Sequence, residues 1–417
     1  MTADLPVDAD RLWDDIMALA AITDPEKPYT RRSFSALFLK GREWLARRFA
    51  EAGLEVRIDA AGNLIGRREG AERGLKPILL GSHSDTVPSG GRFDGIAGVI
   101  AALETSRSLK EAGAVLRHPL EVVDFLAEEP SEYGLSCVGS RGMAGVLDPS
   151  MLALKNPGGE PLADALRRVG GDPTRVAGAK REDVAAFLEL HIEQGVLLES
   201  EGADVGVVTS IAGIRRMEIA FEGEADHAGT TPMGLRRDAL VAAARTVDSV
   251  RRAAEALAAQ GGDYFVATVG VLDVSPSASN VVPGRCRLIV DARYTSAEMI
   301  RSFADRIDRE SADNAIAARV TRTAFAVLSD GPPAACDSGL RTEMRAAAQR
   351  LGLSARDLAS GAGHDAAFIT RVCAAAMIFT PCRAGKSHAP EEWADRDALA
   401  SGAAVMFETV RTIDRTM

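Results

Sequence analysis

Gly81-Ser82-His83-Ser84-Asp85-Thr86-Val87-Pro88-Ser89-Gly90-Gly91-Arg92-Phe93-Asp94-Gly95 decides the class of this 417-residue chain, because it carries a histidine and two carboxylates out of an apolar strand into a glycine-rich loop. Lys76-Pro77 leads into Ile78-Leu79-Leu80, a short apolar run that reads as a buried parallel strand. His83 then falls just past the strand's C-terminal end. Such a loop is how a metal-dependent hydrolase begins.

Three further apolar runs end in the same way: Val122 to Leu126 before Glu128-Glu129, Phe187 to Leu190 before His191, and Met377 to Phe379 before His388. Sites in open α/β sheets form outside the carboxyl ends of the strands, so four runs that obey one rule predict an α/β domain built on a mixed sheet. Ahead of them, apolar spacing predicts helices between Arg11 and Gly53, then strand and hairpin over Leu54 to Ile65.

Between about Ile211 and Leu328 the pattern changes. Met217–Phe221 alternates, Asp238–Ala258 has helical spacing, and Phe265–Val274 and Cys286–Tyr294 read as strands. Ser296–Ala315 reads as a helix and Ala318–Val327 as a last strand. The order β-α-β-β-α-β is that of a ferredoxin-like split unit. The expected organisation is a catalytic domain of residues 1–210 plus 329–417 with an inserted α+β domain of residues 211–328.

Composition narrows the function classes. A formal net charge of −10, with no lysine or arginine block, argues against a nucleic-acid surface. Met1 to Arg11 has neither a basic region nor an apolar core, and no later run approaches the roughly 18 apolar residues of a membrane span. The expectation is a cytoplasmic protein. Its five scattered cysteines lack zinc-ribbon spacing and read as reduced, mostly buried thiols.

Of the six histidines, His83, His191 and His388 follow apolar strands, and His227 and His364 lie in glycine-flanked polar loops, which leaves only His118 looking incidental. Two divalent ions lying close together need a bridging carboxylate, terminal imidazole or carboxylate ligands, and an open position for water. His83, Asp94, Glu129, His191 and His388 supply such a set. Taken alone, Asp94 reads as a turn-forming aspartate. Asp85 lies near enough to hold the His83 imidazole in one tautomer, and equally reads as a turn cap. Adjacent carboxylates such as Glu128-Glu129 persist at a buried strand end most easily if one binds metal and the other shuttles protons; in a solvated loop they need no such roles.

Nine stretches carry a family resemblance: Gly81 to Gly95, Glu128-Glu129, Gly139-Ser140, His191-Ile192-Glu193-Gln194-Gly195, Asp226 to Met233, Asn280 to Gly284, Asp291-Ala292-Arg293, Ser360 to Ala366, and Ser387-His388. In them the chain resembles the amidase branch of the di-zinc aminoacylase and carboxypeptidase-like metallohydrolases, which contains N-carbamoyl-L-amino acid hydrolases, allantoate amidohydrolases and β-ureidopropionases. The resemblance implies two divalent ions per subunit (zinc, manganese or cobalt) on His83, Asp94, Glu129, His191 and His388, with Asp94 bridging. It implies Glu128 as general base and Asp85 as the residue orienting His83. The inserted domain becomes a lid and dimerisation platform, and His227 stabilises the oxyanion in the partner subunit of a homodimer.

Asn280 and Arg293 match substrate-holding positions, where a planar guanidinium suits a carboxylate; Gln194 and His364 lie in matching motifs and are expected to line the pocket. On their own His227, Asn280 and Arg293 read as a loop histidine, a turn asparagine and a surface ion pair. The implied substrate is a small carbamoyl or ureido acid. A deacylase or peptidase on the same fold is the second reading, and a metal-binding module without catalysis the third. Two departures stand out: Pro130 to Val138 replaces the Gly-Ser-Arg-Phe type segment of many relatives, and Ile214 stands where they often have glutamine.

Overall fold

A computed structural model describes residues 5–417. Part of the Met1 to Arg11 reading therefore lies outside the described residues. The chain divides into two compact units, one comprising the chain up to Thr209 together with Ala335–Met417, the other Ser210–Ala334.

The first unit is built on a mixed sheet. Its strands in chain order are β1 (Glu55–Ile58), β2 (Leu64–Arg68), β3 (Ile78–His83), β4 (Leu120–Phe125), β5 (Ala186–Ile192) and β6 (Val205–Ile211). The spatial order β1-β2-β4-β3-β5 continues through Ala374–Thr380, which pairs with β5 on one side and β6 on the other. β4, β3, β5 and Ala374–Thr380 run parallel to one another. Every residue of β3, β4 and β5 is buried, as expected of strands covered on both faces. Helices Ile96–Glu111 and Arg396–Thr416 pack on one face of these strands. Because the four strands are parallel, their carboxyl ends share one edge, and the four polar segments picked out above emerge there.

The second unit is a four-stranded antiparallel sheet with two helices. Its main strands are β7 (Gly213–Glu222), β9 (Phe265–Ser275), β11 (Arg285–Tyr294) and β12 (Thr321–Gly331), with the two-residue strands β8 (Asp226–His227) and β10 (Val281–Val282) forming a separate pair. The sheet order β12-β7-β11-β9 is the ferredoxin-like arrangement. Cys286, Leu288, Val290, Ala292 and Tyr294 alternate along β11 into a core shared with helices Ala239–Ala258 and Ala297–Ala317, while Arg285, Arg287 and Arg293 lie on the other face. This unit ends six residues beyond the expected 328, because β12 keeps pairing with β7 as far as Gly331 opposite Ile214. No described helix is long and apolar enough to cross a membrane.

Candidate metal centre

His83 is the last residue of β3 and is buried. Eleven residues later the loop returns and places Asp94 Oδ1 3.5 Å from His83 Nε2. Gly95 makes that return possible. It adopts a φ of 66°, and a side chain there would run into the His83 ring. β5 delivers His191, whose Nε2 lies 3.2 Å from the same Asp94 oxygen. Its Nδ1 stands 2.8 Å from the Ile192 carbonyl, which directs Nε2 toward Asp94.

The other Asp94 oxygen, Oδ2, faces His388 Nε2 at 3.2 Å, and His388 Nε2 lies 3.3 Å from Glu129 Oε1. Two groups of potential metal ligands result: His83, Asp94 and His191, and Asp94, Glu129 and His388. Within each, the donor atoms lie within 4.8 Å of one another. Imidazole and carboxylate donors, overlapping at one carboxylate that offers one oxygen to each group, fit a pair of divalent cations.

Glu128 and Glu129 reach the centre because Ala127, with a φ of 51°, turns the chain sharply at the end of β4. Both glutamates are buried. Glu128 Oε2 lies 3.6 Å from His83 Nε2, and its backbone N–H donates to Asp85 Oδ1 at 3.2 Å. Asp85 Oδ1 also lies 3.6 Å from His83 Nδ1, while the Asp85 carbonyl is nearer at 3.1 Å. Asp85 thus faces the His83 nitrogen turned away from Asp94.

The electrostatics follow from burial and charge. Burial, with Glu129 and Asp365 nearby, holds the Glu128 carboxyl well above the usual range. Burial raises Asp94, but His191, His388 and His83 outweigh it and bring that carboxylate well below its ordinary value. Burial disfavours a charged His83, yet Glu128, Asp85 and Asp94 raise it well above normal. His388, bonded to Asp94 and Glu129, is pushed up to about 11.

Two residues expected to line the pocket have other partners. Gln194 donates from Nε2 to Asp94 Oδ2 at 2.6 Å, so it touches the shared carboxylate itself. His364 is 2% exposed, bonds Ser360 Oγ through Nε2 at 2.8 Å, and packs edge-on against His191 at 4.6 Å between centroids. It supports the His191 ring from behind. His118, bonded to the Lys76 carbonyl, is structural as expected.

His227, Asn280 and Arg293 belong to the second unit. β8 and β10 bring the first two together, with the Ala228 N–H donating to the Asn280 carbonyl. His227 is exposed, and its Nδ1 accepts N–H bonds from Gly229 (3.0 Å) and Thr230 (3.1 Å). An accepting Nδ1 leaves the proton of the neutral ring on Nε2. Arg293 Nε bonds Asp291 Oδ1 at 3.2 Å.

A hydrolase with paired metal-ligand groups beside a buried glutamate is the class these features define. A sequence model described as Peptidase family M20/M25/M40 matches residues 79–412, and the chain belongs to that family. It is 40% identical over 414 residues, covering 98% of both chains, to an N-carbamoyl-L-amino-acid amidohydrolase of Paenarthrobacter aurescens. It is 36% identical over 382 residues, 91% of each chain, to an allantoate amidohydrolase of Escherichia coli. Among solved structures it is similar to an amidase of the hydantoinase/carbamoylase family from Burkholderia multivorans, with a TM-score of 0.90, 37% identity, and coverage of 97% of this chain and 98% of that one.

Proposed function

We propose that this protein is a metal-dependent amidohydrolase that cleaves the carbamoyl C–N bond of an N-carbamoyl-L-amino acid or a related ureido acid. The observation that carries the reading is the Asp94 carboxylate, with one oxygen toward His191 and the other toward His388, beside a buried Glu128. Similarity over nearly the whole chain to a carbamoyl amidohydrolase supports the substrate class.

His83, Asp94, Glu129, His191 and His388 would hold two divalent ions, zinc, manganese or cobalt, which imidazole and carboxylate donors do not separate. Bound there, the ions supply Lewis-acid activation of a water and of the scissile carbonyl. Glu128 takes the proton from the attacking water and returns it to the leaving nitrogen. Its buried setting raises its proton affinity toward that of a group able to do both. Asp85 holds the His83 ring. The His227 Nε2–H donates to the oxyanion that develops on the carbonyl, reaching it from the partner subunit of a homodimer formed through the second unit. Asn280 and Arg293 hold the substrate carboxylate, for which Arg293 exchanges its bond to Asp291. An N-carbamoyl amino acid and one water yield the amino acid, ammonia and carbon dioxide.

Allantoate is the second reading, supported by the Escherichia coli relative; it keeps the centre and changes only the pocket. The test is a hydrolysis screen of N-carbamoyl-L-amino acids, allantoate, 3-ureidopropionate and N-acyl amino acids with each of the three metals. Turnover of N-acyl amino acids alone would replace the proposal with a deacylase.

A further inference from the structure

Glu392 belongs to neither ligand group, yet it is completely buried beside both. Its Oε1 accepts the backbone N–H of Phe93 at 2.8 Å and of Asp94 at 3.1 Å. Its Oε2 accepts the Ser387 hydroxyl at 2.7 Å. Ser387 Oγ in turn stands 2.9 Å from Asp94 Oδ2, and Ser387 directly precedes His388. One carboxylate therefore grips the backbone of the shared ligand on one side and the loop of the exposed histidine ligand on the other.

The surroundings reinforce this joint. A side chain at Gly91 would overlap the Glu392 carboxylate, so glycine is required where the loop passes it. The Arg92 guanidinium lies over Trp393 at 4.7 Å and over Tyr29 at 4.8 Å, and the Phe93 and Trp393 rings meet edge-on at 5.8 Å. Segments 91–94 and 387–393, nearly 300 residues apart in sequence, are thus locked together on both sides of Glu392.

We infer that Glu392 is a positioning residue that, through Ser387 and the Phe93 and Asp94 amides, aims the Asp94 carboxylate and fixes the spacing of the two ligand groups. It acts as a hydrogen-bond clamp and contributes neither a ligand nor a needed charge. A glutamine can do the same work. Its Oε1 accepts both backbone N–H groups and its amide donates to Ser387 Oγ, which frees the hydroxyl proton for Asp94. Alanine can do none of this.

The inference rests on reading Asp94 as the shared metal ligand, and its test reads metal affinity directly. Full-length protein is stripped with a chelator and titrated with zinc against a fluorescent competitor, with thermal midpoints of the metal-free proteins in parallel. Glu392→Ala should weaken zinc binding by about 10- to 100-fold at both steps, the usual range for losing a group that orients ligands. Ser387→Ala should lose about tenfold by the same reasoning. Glu392→Gln should stay within about threefold of the wild type with an unchanged midpoint, since its hydrogen bonds are kept. Wild-type affinity in Glu392→Ala overturns the inference, as does a Glu392→Gln as weak as the alanine variant. Should Glu392→Ala not fold, wild-type affinity in Ser387→Ala overturns it equally. A wild-type chain that binds fewer than two zinc ions defeats the metal-centre reading and this inference with it. Failure to hydrolyse ureido acids by a chain that binds two ions bears on the substrate alone.

Discussion

Asp94 Oδ2 lies 3.2 Å from His388 Nε2, while Oδ1 of the same carboxylate lies 3.2 Å from His191 Nε2. The two oxygens serve different ligand groups, so removing Asp94 and removing His388 have unequal consequences. Asp94→Ala should abolish tight binding of both ions, and His388→Ala should remove one and leave the His83–Asp94–His191 group able to bind. Metal content after equilibrium dialysis checks this. Equal stoichiometries in the two variants would mean that Asp94 is not shared.

Glu128→Gln should retain both ions and lose roughly 10² to 10⁴ in kcat, the usual contribution of a positioned acid–base group. Glu128 stands 3.6 Å from His83 but belongs to neither ligand group. Metal analysis alongside single-substrate kinetics separates the roles. An empty site in the variant would make Glu128 a ligand, and surviving turnover would place the base elsewhere.

Metal binding should expel protons. In the metal-free protein burial opposes charge on His83 and His191, but the neighbouring carboxylates win and raise both, and His388 is brought to about 11. A raised value favours the protonated imidazole, whereas a metal needs its lone pair. Affinity should therefore rise with pH, and titration calorimetry at pH 7 in buffers of different ionisation enthalpy should give different apparent heats. The same sign applies to the metal-free fold: stability drawn from the His388 ion pairs is complete below about pH 6.5 and is lost as pH rises toward 11. Buffer-independent heats would contradict the assignment.

If His227 serves the partner's active site, inactive His227→Ala and inactive Glu128→Gln subunits should recover activity when mixed. One site of each heterodimer then holds both groups, so recovery approaches a quarter of the wild-type rate for random pairing, an order-of-magnitude expectation resting on the unit-like behaviour of catalytic groups. Heterodimers shown to form without recovery would end the shared-site reading.

Much of this centre is readable in the chain because strands announce their ends. Ile78-Leu79-Leu80 ahead of His83 is apolar throughout and Phe187 to Leu190 ahead of His191 is apolar except for Glu189, so each run marks a buried strand whose end is an edge where a site can form. The ferredoxin-like order was equally legible, since the buried residues alternate over Met217, Ile219 and Phe221 of β7 and along β11. What local pattern cannot carry is long-range partnership. Nothing in Pro390-Glu391-Glu392 hints that one glutamate caps amides at Phe93 and Asp94. Gln194 and His364 sit in motif strings that suggest a pocket, but a φ of 57° turns Gln194 onto Asp94, and packing against His191 buries His364. The boundary near residue 328 moved because exposed residues at the end of β12 give no apolar signal, although their backbone still pairs.

Every role proposed for the centre depends on Asp94 joining two ions. Crystals soaked in manganese or zinc and measured near the metal's absorption edge test it most directly. Two anomalous peaks are expected about 3.5 to 4 Å apart, one beside Asp94 Oδ1 with His83 and His191 and one beside Oδ2 with Glu129 and His388. A single peak, or two peaks of which only one touches Asp94, would contradict it.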